Sequence, residues 1–211
     1  MAGATGLIGG EVLKGLLLEP AVAKVQVLAR RALDISHPKL HVHVVDFSRL
    51  PALEPADEAY LALGTTIGIA GSQAAFRAVD LDANLAVAKA AMAAGAQRMA
   101  LVSAVGADAN STVFYNRVKG ELEDALKALA LQALVIAQPS LLLGDRKALK
   151  QAPRSGEGFA APIMTLISPV LPRRYRPVQG ASVARALVKT LPTARGLVVL
   201  SSDELGRLGA A

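Results

Sequence analysis

Residues 3–9 read GATGLIG and place glycines at positions 3, 6 and 9. In a dinucleotide-binding turn the first glycine makes the tight bend, the second lets the backbone approach a pyrophosphate, and the third lets the next helix pack closely. The pattern therefore predicts a nucleotide cofactor bound at this turn. The expected contact residues are Gly3, Thr5, Gly6, Leu7 and Ile8.

The strand that normally feeds such a turn is almost missing from the sequence. That strand is usually central in a parallel sheet and hydrogen-bonds to two neighbours, yet only Met1 and Ala2 precede Gly3. Because unpaired strand edges around a gap in a core are costly, we expect the first strand to be truncated from a longer natural chain. Either a start codon placed too late or a cut in the chain would produce this truncation, and the alternative is that the protein tolerates a first strand of only two residues.

The composition indicates one globular domain without an export signal. Of the 211 residues, 53% are hydrophobic and only 3% are aromatic, so the core must consist of Ala, Leu and Val in closely packed layers. The chain has no cysteine, its apolar runs are shorter than the roughly 18 residues of a membrane span, and the N-terminus lacks a basic segment and a cleavage pattern. We therefore expect a cytoplasmic protein without a membrane span.

The net charge of +6 does not by itself predict a nucleic-acid partner. Most of the Lys and Arg residues are scattered, and aromatic residues for base stacking are nearly absent. The positive charge suits an anionic cofactor or substrate. His41 and His43 share a strand face but have no further ligand at metal-binding spacing, so no metal site is predicted.

Strand and helix patterns alternate along the chain. Strands are predicted over residues 24–29, 41–45, 59–63, 97–103, 133–137 and 197–200. Helices are predicted over residues 11–18, 72–94 with a break near Asp80, 113–130, 182–191 and 203–208. The alternation implies an α/β domain over residues 1–211, with a Rossmann-like, doubly wound parallel sheet and helices on both faces. Residues 144–179, which are rich in Pro, Gly and Arg, are expected to form a substrate-side insertion or lid.

Tyr115 and Lys119 lie four residues apart on a predicted helix, so their side chains share a face. A neighbouring ammonium stabilises a phenolate, which lowers the pKa of a phenol from about 10. Tyr115 can then donate a proton to a carbonyl oxygen, or remove one from an alcohol. Ser103 ends the preceding strand and is expected to hydrogen-bond the same oxygen. Composition alone gives such a Tyr–Lys pair in about one sequence in eight. The prediction of an active site therefore depends on the position of the pair, on the helix that follows the strand ending in Ser103.

Five segments together resemble a known family. They are GATGLIG (3–9), LGTT (63–66), VSAVGAD (102–108), FYNRVKGE (114–121) and PSLLLGDR (139–146). The combination is similar to the atypical short-chain dehydrogenase/reductases, in particular the Tat-interacting-protein-like oxidoreductases, over nearly the whole chain. The resemblance implies an NADP-binding Rossmann fold with a catalytic triad of Ser103, Tyr115 and Lys119. It also implies that Lys119 touches the nicotinamide ribose and that the Pro139 to Leu141 segment, through Pro139 and Leu141, contacts the nicotinamide.

Arg30 and Arg31 follow the second predicted strand. An NAD-specific protein carries an acidic residue there for the ribose 2′-hydroxyl, whereas two guanidinium groups suit a 2′-phosphate. NADP is therefore the predicted cofactor, and NAD stays possible because the arginines can also be ordinary solvated residues.

Two further loops follow strands at the same edge of the predicted sheet. Asp46 can accept a hydrogen bond from the adenine amino group, or it can cap the turn to Ser48. Leu63, Gly64 and Thr65, followed by Thr66, are expected to line the middle of the cofactor, since glycine permits close approach; a purely structural turn is the alternative.

The predicted function is an NADP-dependent oxidoreductase that transfers a hydride to or from a small carbonyl or alcohol substrate. The alternative is an NADPH-binding regulatory or interaction protein with little or no turnover. A nucleotide-sugar epimerase ranks third, because few residues remain after Gly144 for a substrate domain. Arg173, Arg174 and Arg176 can face an acidic substrate or simply solvate a loop.

Overall fold

The computed structural model describes residues 1–143 and 172–210. The strands of this part of the chain are β1 (Val25–Ala29), β2 (Leu40–Val44), β3 (Glu58–Leu61), β4 (Arg98–Val102), β5 (Ala133–Gln138), β6 (Leu142–Leu143), β7 (Val178–Gln179) and β8 (Gly196–Ser201). Its α-helices are α1 (Leu7–Leu18), α2 (Ile67–Ala70), α3 (Gln73–Arg77), α4 (Asn84–Ala93), α5 (Phe114–Lys127), α6 (Gly180–Thr190) and α7 (Ser202–Ala210). Most of the predicted insertion, residues 144–171, lies outside the described residues.

The main sheet is parallel, and Ala2 joins its two halves. β1 pairs with β2, while β3, β4, β5 and β8 follow one another in a second group. Ala2 forms parallel bridges to Leu28 on one side and to Leu61 on the other, so the order is β2–β1–Ala2–β3–β4–β5–β8. The predicted Rossmann-like, doubly wound fold is confirmed. Residues 3–9 leave the sheet where its strand order reverses, which is where such sheets bind ligands.

Alternating side chains of the buried strands supply two apolar layers. In β5, Val135 belongs to a core cluster with residues of α1, α6 and α7, whereas Leu134 and Ile136 belong to a cluster with residues of α3, α4 and α5. Helices therefore cover both faces of the sheet. This arrangement leaves the carboxyl ends of the strands as the edge at which loops meet.

Helix α1 begins at Leu7, four residues before the predicted start. Gly9 lies inside the helix because close packing against the preceding turn requires a glycine at this position. A Cβ at Gly9 would lie 2.1 Å from Gly3 O, and a Cβ at Gly3 would lie 2.2 Å from Ala62 O. The third glycine of the motif thus brings the helix against the turn, as its spacing predicts.

The predicted break in the long Ala-rich helix is a π-helical turn, Ala78–Ala83, between α3 and α4. A π-type turn widens the helix and is frequent at functional sites. Asp80 lies in this turn and is 1% exposed.

Gly3→Ala tests the close approach of the turn to β3. Gly3 has a φ of +90° and no room for a Cβ, so we expect the free energy of unfolding to fall by at least about 2 kcal/mol. Urea denaturation of the chain and of its variant measures the difference. Gly68→Ala is the matched control, because nothing lies within 4 Å of a Cβ there; an equal loss in both variants would contradict the assignment.

Candidate cofactor-binding and active site

The glycine turn presents backbone amide groups rather than side chains. Gly6 is the N-cap of α1 and supplies no side-chain hydrogen bond to the helix. The first amides of a helix have no partner within the helix, so those of Leu7 and Ile8 are available to an anion at the positive end of the helix. Backbone amides at a helix N-terminus, with glycines in place of side chains, fit a pyrophosphate.

The loop after β3 lies beside this turn. A Cβ at Gly3 would come within 2.8 Å of Leu63 N, so the two backbones are in close contact. Thr65 N donates to Asp80 Oδ2 at 2.8 Å, and Leu63 O accepts from Asn84 Nδ2 at 3.1 Å. The structure therefore brings together two of the predicted cofactor-lining segments and shows which side chains hold the second one in place.

Arg30 and Arg31 directly follow β1 and are both exposed. Within the described residues, neither guanidinium forms an ion pair. Asp46 follows β2 and is also exposed. Its Oδ1 accepts from Ser48 N at 2.9 Å, and this backbone hydrogen bond is the main reason that the pKa of the Asp46 carboxyl lies below its usual value. Of the two predicted roles of Asp46, the turn cap is observed; the adenine contact stays a prediction.

Helix α5 carries Tyr115 and Lys119 along one face, as predicted. Tyr115 is half-buried, and its ring lies 5.6 Å from the ring of Phe76, centroid to centroid. Lys119 is buried, and its Nζ lies 2.7 Å from Asp80 Oδ1. In residues 1–143 and 172–210, the Tyr115 hydroxyl has no hydrogen-bond partner. Asp80 thus connects the Lys119 amine with the loop after β3. In the described residues, the Tyr115 side chain is held by ring packing without a hydrogen bond to its hydroxyl.

Ser103 has a different environment from the one predicted. It is 5% exposed, and its hydroxyl donates to Glu123 Oε1 at 2.5 Å. Gln138 Nε2 donates to both oxygens of the same carboxylate at 2.9 and 3.1 Å. Because the Ser103 proton is directed at a buried carboxylate, its hydroxyl has no second proton for a substrate oxygen. In the described parts of the chain, no hydrogen bond joins any two of Ser103, Tyr115 and Lys119.

A glycine lets the loop after β4 pack directly on α5. A Cβ at Gly120 would lie 2.1 Å from Ala109 N and 2.2 Å from Asp108 C. Asp108 N also donates to Asn116 O at 3.1 Å. Position 120, directly after Lys119, therefore requires a glycine, so that the backbone of the loop after β4 can pack against α5.

The segment after β5 is tied to its neighbours by backbone hydrogen bonds. Pro139 is buried and its carbonyl accepts from Val105 N at 2.9 Å, while Leu141 O accepts from Val178 N at 3.0 Å. Ser140 N donates to Ser202 Oγ at 2.8 Å. The structure places Pro139 and Leu141 at the carboxyl end of β5, beside the loop after β4; their contact with a nicotinamide stays a prediction.

Three buried polar residues of the site were not predicted from the sequence. Asp80, Asn84 and Glu123 are 1%, 0% and 3% exposed. Each lies in a helical segment where a polar side chain normally faces solvent. One signal was present for Glu123, because it continues the four-residue spacing of Tyr115 and Lys119 on α5.

Over residues 1–143 and 172–210, no cluster of three or more His, Cys, Asp or Glu side chains is placed to hold a metal ion. In the same part of the chain, every helix is too short or too polar to cross a bilayer.

Comparison with known proteins identifies a nucleotide-binding family. A family model described as NAD(P)H-binding matches residues 3–156. The chain is 36% identical to the protein fmp52, mitochondrial, of Emericella nidulans over 170 residues, which cover 76% of this chain and 73% of that one. It is 37% identical to FMP52-1, mitochondrial, of Scheffersomyces stipitis over 154 residues, which cover 70% of this chain and 68% of that one.

Solved structures show the same fold at low sequence identity. MoeE5 in complex with UDP-glucose and NAD matches with a TM-score of 0.67 and 16% identity, over 99% of this chain and 79% of that chain. At this identity the likeness concerns the fold alone.

The expected cytoplasmic location is wrong. It followed from the lack of an export signal and of cysteine, neither of which distinguishes the cytoplasm from the mitochondrial matrix. The curated relatives with 36–37% identity are named as mitochondrial proteins.

Glu123→Ala tests whether the buried carboxylate holds Ser103 and Gln138. Its loss leaves the Ser103 hydroxyl and the Gln138 amide unpaired in the interior, so we expect the free energy of unfolding to fall by about 2–4 kcal/mol. Asp124→Ala, on the exposed side of α5 with 60% of its side chain accessible, should cost less than about 1 kcal/mol. Denaturant unfolding followed by circular dichroism measures both, and comparable losses would argue against the network.

Proposed function

This chain belongs to the NAD(P)H-binding family whose model matches residues 3–156, and we propose that it is an NADP-dependent oxidoreductase that acts on a small carbonyl or alcohol. The observation that carries the proposal is the position of Lys119. Its amine is buried on the same helix face as Tyr115 and is linked through Asp80 to the loop after β3. An acid–base pair beside a nucleotide site is what carbonyl reduction requires.

The residues fit a dinucleotide along the carboxyl edge of the sheet. The amides of Leu7 and Ile8 would hold the pyrophosphate, and the backbone of Gly64 and Thr65 would line the middle of the molecule. A protein of the same fold supports this path, since the solved structure of MoeE5 is a complex with UDP-glucose and NAD. When bound, the nicotinamide supplies or accepts the hydride of the reaction.

Tyr115 is the proposed acid and base. Its hydroxyl has no competing hydrogen bond in the described residues, so it can donate to a carbonyl oxygen or accept from an alcohol. Lys119 lies one helical turn away on the same helix, and its ammonium is 2.7 Å from Asp80 Oδ1. The Tyr115 hydroxyl would also stabilise the negative charge that develops on the substrate oxygen.

The Ser103 hydroxyl donates its hydrogen bond to Glu123 and not to the substrate oxygen. A hydroxyl that already donates to a carboxylate can still accept a hydrogen bond through its oxygen. In this proposal Ser103 therefore orients a hydrogen-bond donor of the substrate and does not polarise a carbonyl. The predicted donor role of Ser103 requires Glu123 to carry a proton itself.

The hydrogen bond from Ser103 to Glu123 favours a second candidate function, an NADPH-binding regulatory or interaction protein with little or no turnover. With Ser103 tied to Glu123, only part of the predicted triad faces a substrate, whereas the glycine turn and the loop after β3 still fit the cofactor. The names of the curated relatives specify no reaction. They support a mitochondrial location for the protein.

Tyr115→Phe distinguishes the two candidates. If Tyr115 is the acid, the variant loses at least about 100-fold in kcat for NADPH oxidation against a panel of small aldehydes and ketones, while its NADPH affinity is unchanged. Tyr175→Phe, which removes an exposed phenol, is the matched control and should keep full activity. Tight NADPH binding without turnover of any panel member by the unmodified chain would favour the regulatory candidate instead.

Replacing Arg30 and Arg31 by Ala tests the preference for NADP. Loss of charge-assisted hydrogen bonds to a 2′-phosphate should weaken NADPH binding at least about tenfold and leave NADH binding unchanged. Arg49→Ala, at another exposed arginine, controls for a general loss of positive charge. Fluorescence titration with each nucleotide gives the dissociation constants; equal affinity of the unmodified chain for NADPH and NADH would rule out the phosphate contact.

A further inference from the structure

The buried ion pair between α5 and the π-helical turn carries a further inference. Lys119 Nζ lies 2.7 Å from Asp80 Oδ1, and the two side chains are 5% and 1% exposed. A charge this far removed from water is costly unless an opposite charge or hydrogen bonds compensate it. Asp80 is therefore the group that lets an ammonium remain inside the protein at this position.

The second oxygen of Asp80 holds the loop after β3. Thr65 N donates to Asp80 Oδ2 at 2.8 Å, and a Cβ at Gly64 would lie 3.5 Å from Asp80 Oδ1. The carboxylate thus lies against the backbone that the proposed function assigns to the cofactor. One side chain connects that backbone with the amine of Lys119.

Asn84 forms a second link between the π-helical turn and the loop after β3. Asn84 Nδ2 donates to Asp80 O and to Leu63 O, at 3.1 Å each. A π-type turn interrupts the usual i to i+4 pattern, and the Asn84 amide satisfies a carbonyl of the turn while it also holds the loop. The turn and the loop are therefore joined at two points, one through Asp80 and one through Asn84.

We propose that Asp80 is a positioning residue that couples cofactor binding at the loop after β3 to the placement of the Lys119 amine. The inference rests on the proposed function, which assigns the loop to the cofactor and Lys119 to the reacting end. Asp80 acts through Thr65 and Lys119 rather than on the substrate. A nucleotide that settles against the loop thereby also fixes the position of the amine.

Asp80→Asn is the informative variant. Asparagine keeps an oxygen that accepts from Thr65 N–H, but it removes the charge that pairs with Lys119. We expect NADPH affinity, measured by nucleotide fluorescence on the full chain, to fall about tenfold, within the range of coupled sites. Asp82→Asn is the matched control, because Asp82 lies in the same turn but is exposed; its affinity should stay within about twofold of the unmodified chain.

A double-mutant cycle with Lys119→Met separates coupling from a general loss of structure. If Asp80 acts through Lys119, Asp80→Asn has no further effect on NADPH affinity once Lys119 is Met. Two independent roles would instead give multiplying effects. The double variant also removes both buried charges, so its melting temperature should exceed that of Asp80→Asn alone. If Asp80→Asn does not fold, comparison of Lys119→Met with the double variant carries the same test.

The outcomes distinguish this inference from the proposed function. Unchanged NADPH affinity in Asp80→Asn, or a multiplicative loss in the double variant, overturns the coupling and leaves the proposed function standing. Failure of the unmodified chain to bind NADPH overturns the proposed function, and the coupling with it.

Discussion

Backbone hydrogen bonds at Ala2 hold the two halves of the sheet together, and the site depends on them. Ala2 N donates to Tyr60 O at 3.0 Å and Ala2 O accepts from Ala62 N at 3.1 Å, while Leu28 N, on the other side, donates to Met1 O at 2.9 Å. These bonds fix the direction in which the chain leaves the sheet. The turn that begins at Gly3 can then lie against the backbone of Ala62 with no space between them, and the cofactor-lining loops meet at one edge.

Burial of charge is the second constraint on this site. Asp80, Lys119 and Glu123 are each at most 5% exposed, so each must have its partners supplied by the protein. Asp80 and Lys119 compensate one another, whereas Glu123 accepts hydrogen bonds from Ser103 and Gln138 and lies 3.6 Å from Lys127 Nζ. Both arrangements connect α5 to other segments, one to the loop after β3 and the other to the ends of β4 and β5. The helix that bears Tyr115 is thus fixed from two sides.

The direction of one proton separates the two candidate functions. A serine that donates to a carboxylate cannot donate to a carbonyl oxygen at the same time, so the proposed acid–base chemistry depends on Tyr115 and Lys119 more than on a complete triad. The proposed cofactor contacts make no such demand, because they consist of glycine backbone, helix amides and surface arginines. In the proposed scheme, nucleotide binding therefore does not depend on the Ser103 proton.

The sequence alone determined the fold, the place of the glycine turn and the face shared by Tyr115 and Lys119, because these follow from local spacing: glycines three apart, strands of apolar residues, and side chains four apart on a helix. It also indicated the helix break at Asp80. The partners of Ser103 and Lys119 were decided by the tertiary structure. Asp80 lies 39 positions before Lys119 in the chain, and Glu123 lies 20 after Ser103, so only the packing of α5 on the sheet and on the π-helical turn brings them within hydrogen-bonding distance.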